Sequence, residues 1–264
     1  MGVSRSRDVC KLRHVIWCDT EGGVRGVKLW DITCIEETTN GVRAQRLCSP
    51  SNATKRGRAQ LRNELPNAVY RDSVKSGSTC VVQYNDKLDA TEHSNVGAPL
   101  ETLLASYLHS RAGSVLVAWN LRGHDKHVLK RAVGNDAVDK MVLWDALPWF
   151  RSKYSLPKNT MSSNKVGTPR AVFNVPTRGS AHSSFADAAH MRDVVLRAAY
   201  AIRADGGAGK IDIASYRAAT RSEQYAAARA EIEETVALAE WHEVVDKAWS
   251  DGMVPASVYE VAHT

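Results

Sequence analysis

The strongest constraint on this chain is a short run near its start. Residues 12–19, LRHVIWCD, are mostly apolar, rich in β-branched and aromatic side chains, and end on a carboxylate. A run of this kind is a strand buried on both faces, which requires helices on both sides of its sheet. Asp19 closes the run and Glu21 follows two residues later. Side chains two apart in a strand share a face, so both carboxylates can point at one place.

The following segments alternate between strand and helix. Gly22, Gly23 and Gly26 mark a turn, VKLWDITCIEE from Val27 reads as a second strand, and Asn40-Gly41 as a hairpin into a third, VRAQRLCSP. Residues 51–79 are polar and basic without sustained periodicity, which predicts an elaborated loop with at most one short helix. Leu100, Leu103, Leu104, Tyr107 and Leu108 fall at helical spacing and lead into SVLVAWN, a central strand stopping at Asn120. A helix opened by Asp125 and a short strand, MVLWDAL, come next.

Residues 151–181 break the pattern as a basic loop, and SFADAAHMRDVVLRAAYAIRA from Ser184 is a helix stopped by Asp205-Gly206-Gly207. Residues 214–249 are Ala/Glu-rich and helical, with Trp241 and Trp249 near their end, and resemble an appended arm more than core. The expectation is an α/β chain with a mixed sheet and helices packed on it. Residues 1–11 form a tail, 12–205 the main domain and 206–264 a helical C-terminal extension.

Charge is divided unevenly along this plan. Residues 1–210 carry 31 Lys/Arg against 19 Asp/Glu, a net +12, whereas residues 211–264 carry 4 against 10, a net −6. A basic body with an acidic tail fits an anionic ligand, nucleic acid being the commonest, and the acidic helix is expected to dock on the body, with self-association or a protein partner as alternatives. No stretch of 18 apolar residues and no apolar leader is present, so no membrane is expected and an intracellular location is. Cys10, Cys18, Cys34, Cys48 and Cys80 contain no C-x-x-C pair and read as reduced thiols. Gly2 and Ser6 fit the loose myristoylation pattern, which is short enough to recur by chance.

The candidate chemistry lies at element ends: Asp19 and Glu21 after the first strand, Asp125 at a helix start, His182 and Asp187 around another. Four hard oxygen donors suit Mg²⁺ or Mn²⁺. Two such ions can activate water and neutralise the leaving oxygen of an in-line phosphoryl displacement, and a histidine beside them can take the water's proton.

Three motifs in this order resemble the DEDDh branch of the DnaQ-like 3′-to-5′ exonucleases. They are VIWCDTEGG with Asp19 and Glu21, VLVAWNLRGHDKHVL with Asn120 and Asp125, and HSSFADAAHMRDVVL with His182 and Asp187. Pro50 after the third strand and Asp145 in VLWDAL fit the same pattern, which covers about residues 12–203. The chain departs from it with Trp119 in place of a His, His124 in place of an aromatic residue, a second-motif gap one residue longer than in many members, and Gly22-Gly23 in place of Thr-Gly.

The resemblance implies a ribonuclease H-like fold, a mixed five-stranded sheet flanked by helices, and release of nucleoside 5′-monophosphates from 3′ ends of DNA or RNA. Asp19, Glu21 and Asp187 would hold two Mg²⁺ or Mn²⁺ ions, Asp125 would ligate directly or through water, and His182 would be the general base. Thr20, Gly22, Trp119, Asn120 and His124 would contact substrate. The alternative from another class is a non-catalytic nucleic-acid-binding module of the same fold, against which the presence of all five catalytic-type residues argues.

Overall fold

The computed structural model describes residues 14–22, 28–38, 40–154, 173, 175–179, 182–204 and 219–250, with backbone alone for 240–249. Expectations for the 1–11 tail, Gly2, Cys10, Gly23, Gly26, residues 155–172, the Asp205-Gly206-Gly207 linker and the side chains of Trp241 and Trp249 lie outside the described residues.

The apolar run enters the sheet as β1 (Val15–Glu21), whose first four residues are buried. β2 (Asp31–Thr38) and β3 (Gly41–Cys48) follow as a hairpin, with Gly41 already paired to Thr38. β4 (Thr79–Tyr84), β5 (Ala90–Val96), β6 (Val115–Ala118) and β7 (Val142–Asp145) complete an open mixed sheet of order β5-β4-β3-β2-β1-β6-β7. β1 to β5 pair antiparallel, while β6 runs parallel to β1 and β7 parallel to β6. Because β1 and β6 run the same way, the turns that leave their C-terminal ends emerge at one edge, where ligands of such sheets bind.

The helices are α1 (Lys55–Glu64), α2 (Asn67–Ser76), α3 (Leu100–His109), α4 (Asp125–Val133), α5 (Asn135–Asp139), α6 (Ala146–Lys153), α7 (Ser184–Ala204) and α8 (Arg221–Ser250). Strand alternation sorts them into layers. Val15 and Trp17 of β1 pack with Phe150 of α6, Val194 and Val195 of α7, and Tyr225 and Ile232 of α8. Ile16 and Cys18 face the other way, onto Leu104 and Leu108 of α3, Leu129 of α4 and Val138 of α5. Trp30 joins Leu61 of α1, Tyr70 of α2 and Val82 of β4 in a third cluster.

Three expectations for the sheet and its connections are corrected. The sheet has seven strands, not five: β4 and β5 were not anticipated, and β5 is a largely exposed edge strand whose polar sequence, ATEHSNV, carries no apolar alternation. Residues 51–79 hold two helices in place of a loop; Thr54 caps α1 by accepting from the Gly57 N–H, and Gly77 ends α2 in a left-handed conformation. Their apolar residues are few, and the basic side chains of Lys55, Arg56, Arg58, Arg62, Arg71 and Lys75 are solvated. The second strand starts at Asp31 rather than Val27.

The first half of α8 is core, not an appended arm. Tyr225, Ala228 and Ile232 are buried, and the Tyr225 hydroxyl donates to the Glu37 carbonyl at 3.0 Å. Acidic residues of α8 meet the basic body, Glu231 and Glu234 pairing with Arg203 at 2.8 and 2.6 Å. α7 is pinned to the sheet by the fully buried Glu37, which accepts from Arg192 at 2.8 and 2.6 Å and from the Trp17 indole at 3.0 Å. Cys18, Cys34, Cys48 and Cys80 are buried free thiols. Among the described residues, no helix is long and apolar enough to cross a membrane.

Truncating Ile232 to Ala is expected to destabilise the protein by about 2–5 kcal/mol, because the side chain is fully buried. Urea unfolding followed by circular dichroism should show one cooperative transition at a lower midpoint. A loss below about 0.5 kcal/mol is what a surface arm would give.

Candidate active site

The site is built where β1 leaves the core. Burial along β1 alternates at its end, with Thr20 buried and Asp19 and Glu21 half-buried. Asp19 and Glu21 therefore face the α7 layer, while Thr20 faces the α4 layer. On the first side, one ligand atom from each of Glu21, His182 and Asp187 lies within 4.8 Å of the others. On the second, Asp125 at the start of α4 accepts from the Thr20 hydroxyl at 2.7 Å and the Thr20 N–H at 3.2 Å.

Asp19 is not in the 4.8 Å group, yet it lies in the field of all the others. Burial raises its carboxyl well above the usual range, and the charges of Asp125, Glu21, Asp187 and Asp31 push it further. Burial, with Asp31, Asp187 and Asp125 nearby, lifts Glu21 to about 8 against a partial counter-effect from Arg46. Asp125 is pushed up to about 6 by burial, opposed by the hydrogen bond from Thr20. Burial also raises Asp187, which is held down by the His182 charge and by a hydrogen bond from the His182 backbone. Crowded, desolvated carboxylates whose positive neighbours only partly offset burial suit a hard divalent cation.

The counter-charge beside Glu21, Arg46, belongs to a fifth acid the sequence reading missed. Asp31, at the first position of β2 and fully buried, receives Arg46 through two hydrogen bonds of 2.8 Å and the Ser184 N–H at 3.3 Å. The Thr33 and Ser184 hydroxyls bond at 2.8 Å, and Phe185 stacks on Tyr84 with ring centroids 4.2 Å apart. These contacts seat the first turn of α7, and Asp187 with it, over β2. The available signal was Asp31 and Arg46 at strand positions where charge is rare, but the motif comparison gave them no role.

A cleft of about 300 Å³ opens beside the acids, lined by Glu21, Gly22, Trp30, Thr54, Arg56, Gly57, Gln60, His124 and His182. Of the expected substrate contacts, Gly22 and His124 line it. Gly22 has φ +107°, and a Cβ there would fall 2.4 Å from the Lys28 carbonyl oxygen, so the backbone and the Trp30 ring already require glycine. Thr20 and Trp119 are placed otherwise. Thr20 is the support for Asp125, and Trp119 packs on Phe150 with centroids 5.6 Å apart, away from the cleft lining.

Asn120 takes a left-handed turn with φ +65°, its carbonyl accepting from the Gly123 and His124 N–H groups. Asp145 holds the same turn by accepting from the Arg122 N–H at 2.9 Å, and it caps α6 through the Leu147 N–H. Of the other histidines, His14 pairs with Glu36 and His190 accepts from the Arg178 N–H at 2.8 Å. His127 is exposed.

The chain was compared with protein-family models, curated proteins and solved structures, and none of them matches.

The raised carboxyls tie stability to pH. Folding favours their protonated forms, so the stabilisation is complete below the unfolded values near 4 and is lost as pH rises through the folded values, to about 8 for Glu21. Each differential proton contributes up to about 1.4 kcal/mol per pH unit, or roughly 2–4 °C in Tm per kcal/mol for a chain of this size. In EDTA, Tm is expected to fall between pH 5 and pH 8. Mg²⁺ or Mn²⁺ should restore it at pH 8 and have little effect at pH 5, and Asp19→Asn should raise the metal-free Tm at pH 8. Calorimetry showing a flat Tm across this range would remove the charge crowding.

Proposed function

We propose that this chain is a metal-dependent 3′-to-5′ exonuclease of the DnaQ-like DEDDh type, releasing nucleoside 5′-monophosphates from DNA or RNA. The observation that carries the reading is the convergence of acids from three distant segments, Asp19 and Glu21, Asp125, and Asp187, with His182 at the edge of a cleft whose wall includes the Arg56 side chain. The mixed sheet, with these groups at the end of its central strand, is compatible with a ribonuclease H-like fold.

In this reading Asp19, Glu21 and Asp187 would hold Mg²⁺ or Mn²⁺, and Asp125, whose orientation Thr20 fixes, would ligate directly or through water. Bound ions would supply Lewis-acid activation of water and neutralise charge on the scissile phosphate. His182 accepts the attacking water's proton on an imidazole nitrogen, and Asp187 beside it stabilises the resulting imidazolium. The water oxygen bonds to phosphorus as the bond to the 3′ oxygen of the preceding nucleotide breaks. The departing nucleotide keeps its 5′ phosphate.

Arg56 is exposed on the cleft wall beside the acids, where its guanidinium can meet a substrate phosphate. α1 and α2 carry further solvated cations, Lys55, Arg58, Arg62, Arg71 and Lys75, available to a phosphate backbone.

The direct test incubates the protein with 5′-labelled single-stranded DNA and RNA in Mg²⁺, Mn²⁺ or EDTA. A ladder shortening from the 3′ end is expected with metal and not with EDTA, and Asp19→Ala and Asp187→Ala should abolish it. Hydrolysis by Asp19→Ala at the wild-type rate overturns the site. Binding without cleavage under every metal indicates the non-catalytic module instead.

Arg56→Ala is expected to raise KM several-fold with kcat nearly kept, and to flatten the log–log salt dependence of binding by about 0.7 for the lost phosphate contact. An unchanged salt slope would place the backbone elsewhere.

A further inference from the structure

His182 sits in a backbone conformation that a residue with a side chain rarely adopts, φ +65°. Such a conformation persists where the surroundings hold it. The holders here are unusually specific, because three successive residues are each tied by a different group. The Gln60 side-chain amide donates to the His182 carbonyl at 2.8 Å. The Ser183 hydroxyl donates to Glu64 at 3.2 Å, and the Ser184 N–H donates to Asp31 at 3.3 Å.

These ties are linked to one another. Gln60 also donates to Glu64 at 3.2 Å, Glu64 receives Arg46 at 2.7 Å, and Arg46 holds Asp31 with two further bonds. Gln60 and Glu64 are one turn apart on α1, on the same face as Arg56. α1 itself is anchored elsewhere, by buried Leu61 and by Gly57, where a Cβ would stand only 2.8 Å from the Trp30 ring. The fold of α1 therefore does not depend on Gln60, whereas the His182 carbonyl does.

Building on the exonuclease reading, we propose that Gln60, braced by Glu64, is the positioning residue that holds the His182 turn so that the imidazole faces Glu21 and Asp187. α1 thereby serves the reaction twice, by offering Arg56 to the substrate and by fixing the general base through a main-chain carbonyl. Gln60 lies on the cleft wall, and its role here runs through the His182 carbonyl.

The test compares Gln60→Met, which keeps the length and loses the donor, with Gln60→Lys, whose ammonium can still donate to the carbonyl and to Glu64. Gln60→Met is expected to lower kcat about 10- to 100-fold, in line with the sensitivity of such reactions to ångström-scale misplacement, with KM unchanged. Gln60→Lys should recover much of the loss. In a His182→Ala background Gln60→Met should have no further effect on kcat, since the group it positions is gone.

An independent readout uses backbone amide NMR of metal-free protein. The signals of residues 182–184 should be single and sharp in wild type and in Gln60→Lys, and broadened or multiple in Gln60→Met, with Tm within about 2 °C. Unaltered signals together with unaltered kcat, or an equal loss of kcat with and without His182, would overturn the proposal. If wild type hydrolyses neither DNA nor RNA, the exonuclease reading fails, and the NMR comparison still decides whether Gln60 holds the turn.

Discussion

Carboxylates cannot be gathered out of water without a counter-charge, and that constraint organises everything around the end of β1. Two like unit charges 4–5 Å apart cost roughly 3–4 kcal/mol at an effective dielectric near 20. A hydrogen bond to a charged group returns about 1.5–3 kcal/mol, so the bond from Thr20 to Asp125 can orient that acid but cannot offset several such repulsions. Arg46 is committed to Asp31 and Glu64. What remains for Asp19, Glu21, Asp125 and Asp187 is to take up protons or a cation, and the upward shift of all four is the first of these outcomes.

Much of the fold could be read from the sequence because its central elements have unmistakable periodicity. β1, β6 and β7 are short apolar runs, and α7 has the bounds its sequence suggests, Ser184 to Ala204. The misreadings concern elements whose stability comes from their neighbours. β5 is held by backbone pairing with β4 while its side chains point largely to water, so composition and period carry no trace of it. α1 and α2 bury only a few residues each, Leu61 and Tyr70 among them, and their basic surface reads as loop. α8 looked polar on average, yet one stripe through Tyr225, Ala228 and Ile232 completes the core.

The site was legible where a motif supplied spacing and illegible where contacts cross between motifs. Glu21, His182 and Asp187 were named from sequence and do meet. Asp31, Arg46, Gln60 and Glu64 could not be found that way, because each acts through a partner far away in the chain that only folding supplies, as with Ser184 for Asp31 and His182 for Gln60. Thr20 and Trp119 are expected at substrate, and contacts of the same cross-chain kind decide where they sit, Thr20 against Asp125 and Trp119 on Phe150. Adjacency to a motif says which residues are near a site, whereas strand alternation and packing decide which way they point.

That alternation also explains why the site needs both helical layers. Asp19 and Glu21 face the layer that brings α7, and Asp125 is held by Thr20 on the opposite face, so the acids come together around the strand's end rather than on one surface. A slip of β1 by one residue against β2 would exchange the two faces and scatter the set. The register Trp17↔Ile35 and Asp19↔Thr33 is secured from both sides at once. Trp17 is bonded to the Glu37 carboxylate that also binds Arg192 of α7, and Ile16 and Cys18 are enclosed by the α3 and α4 layer. A shifted strand would bring a polar or charged residue into one of these closed layers, so the packing that makes β1 a central strand is also what aims its last carboxylates.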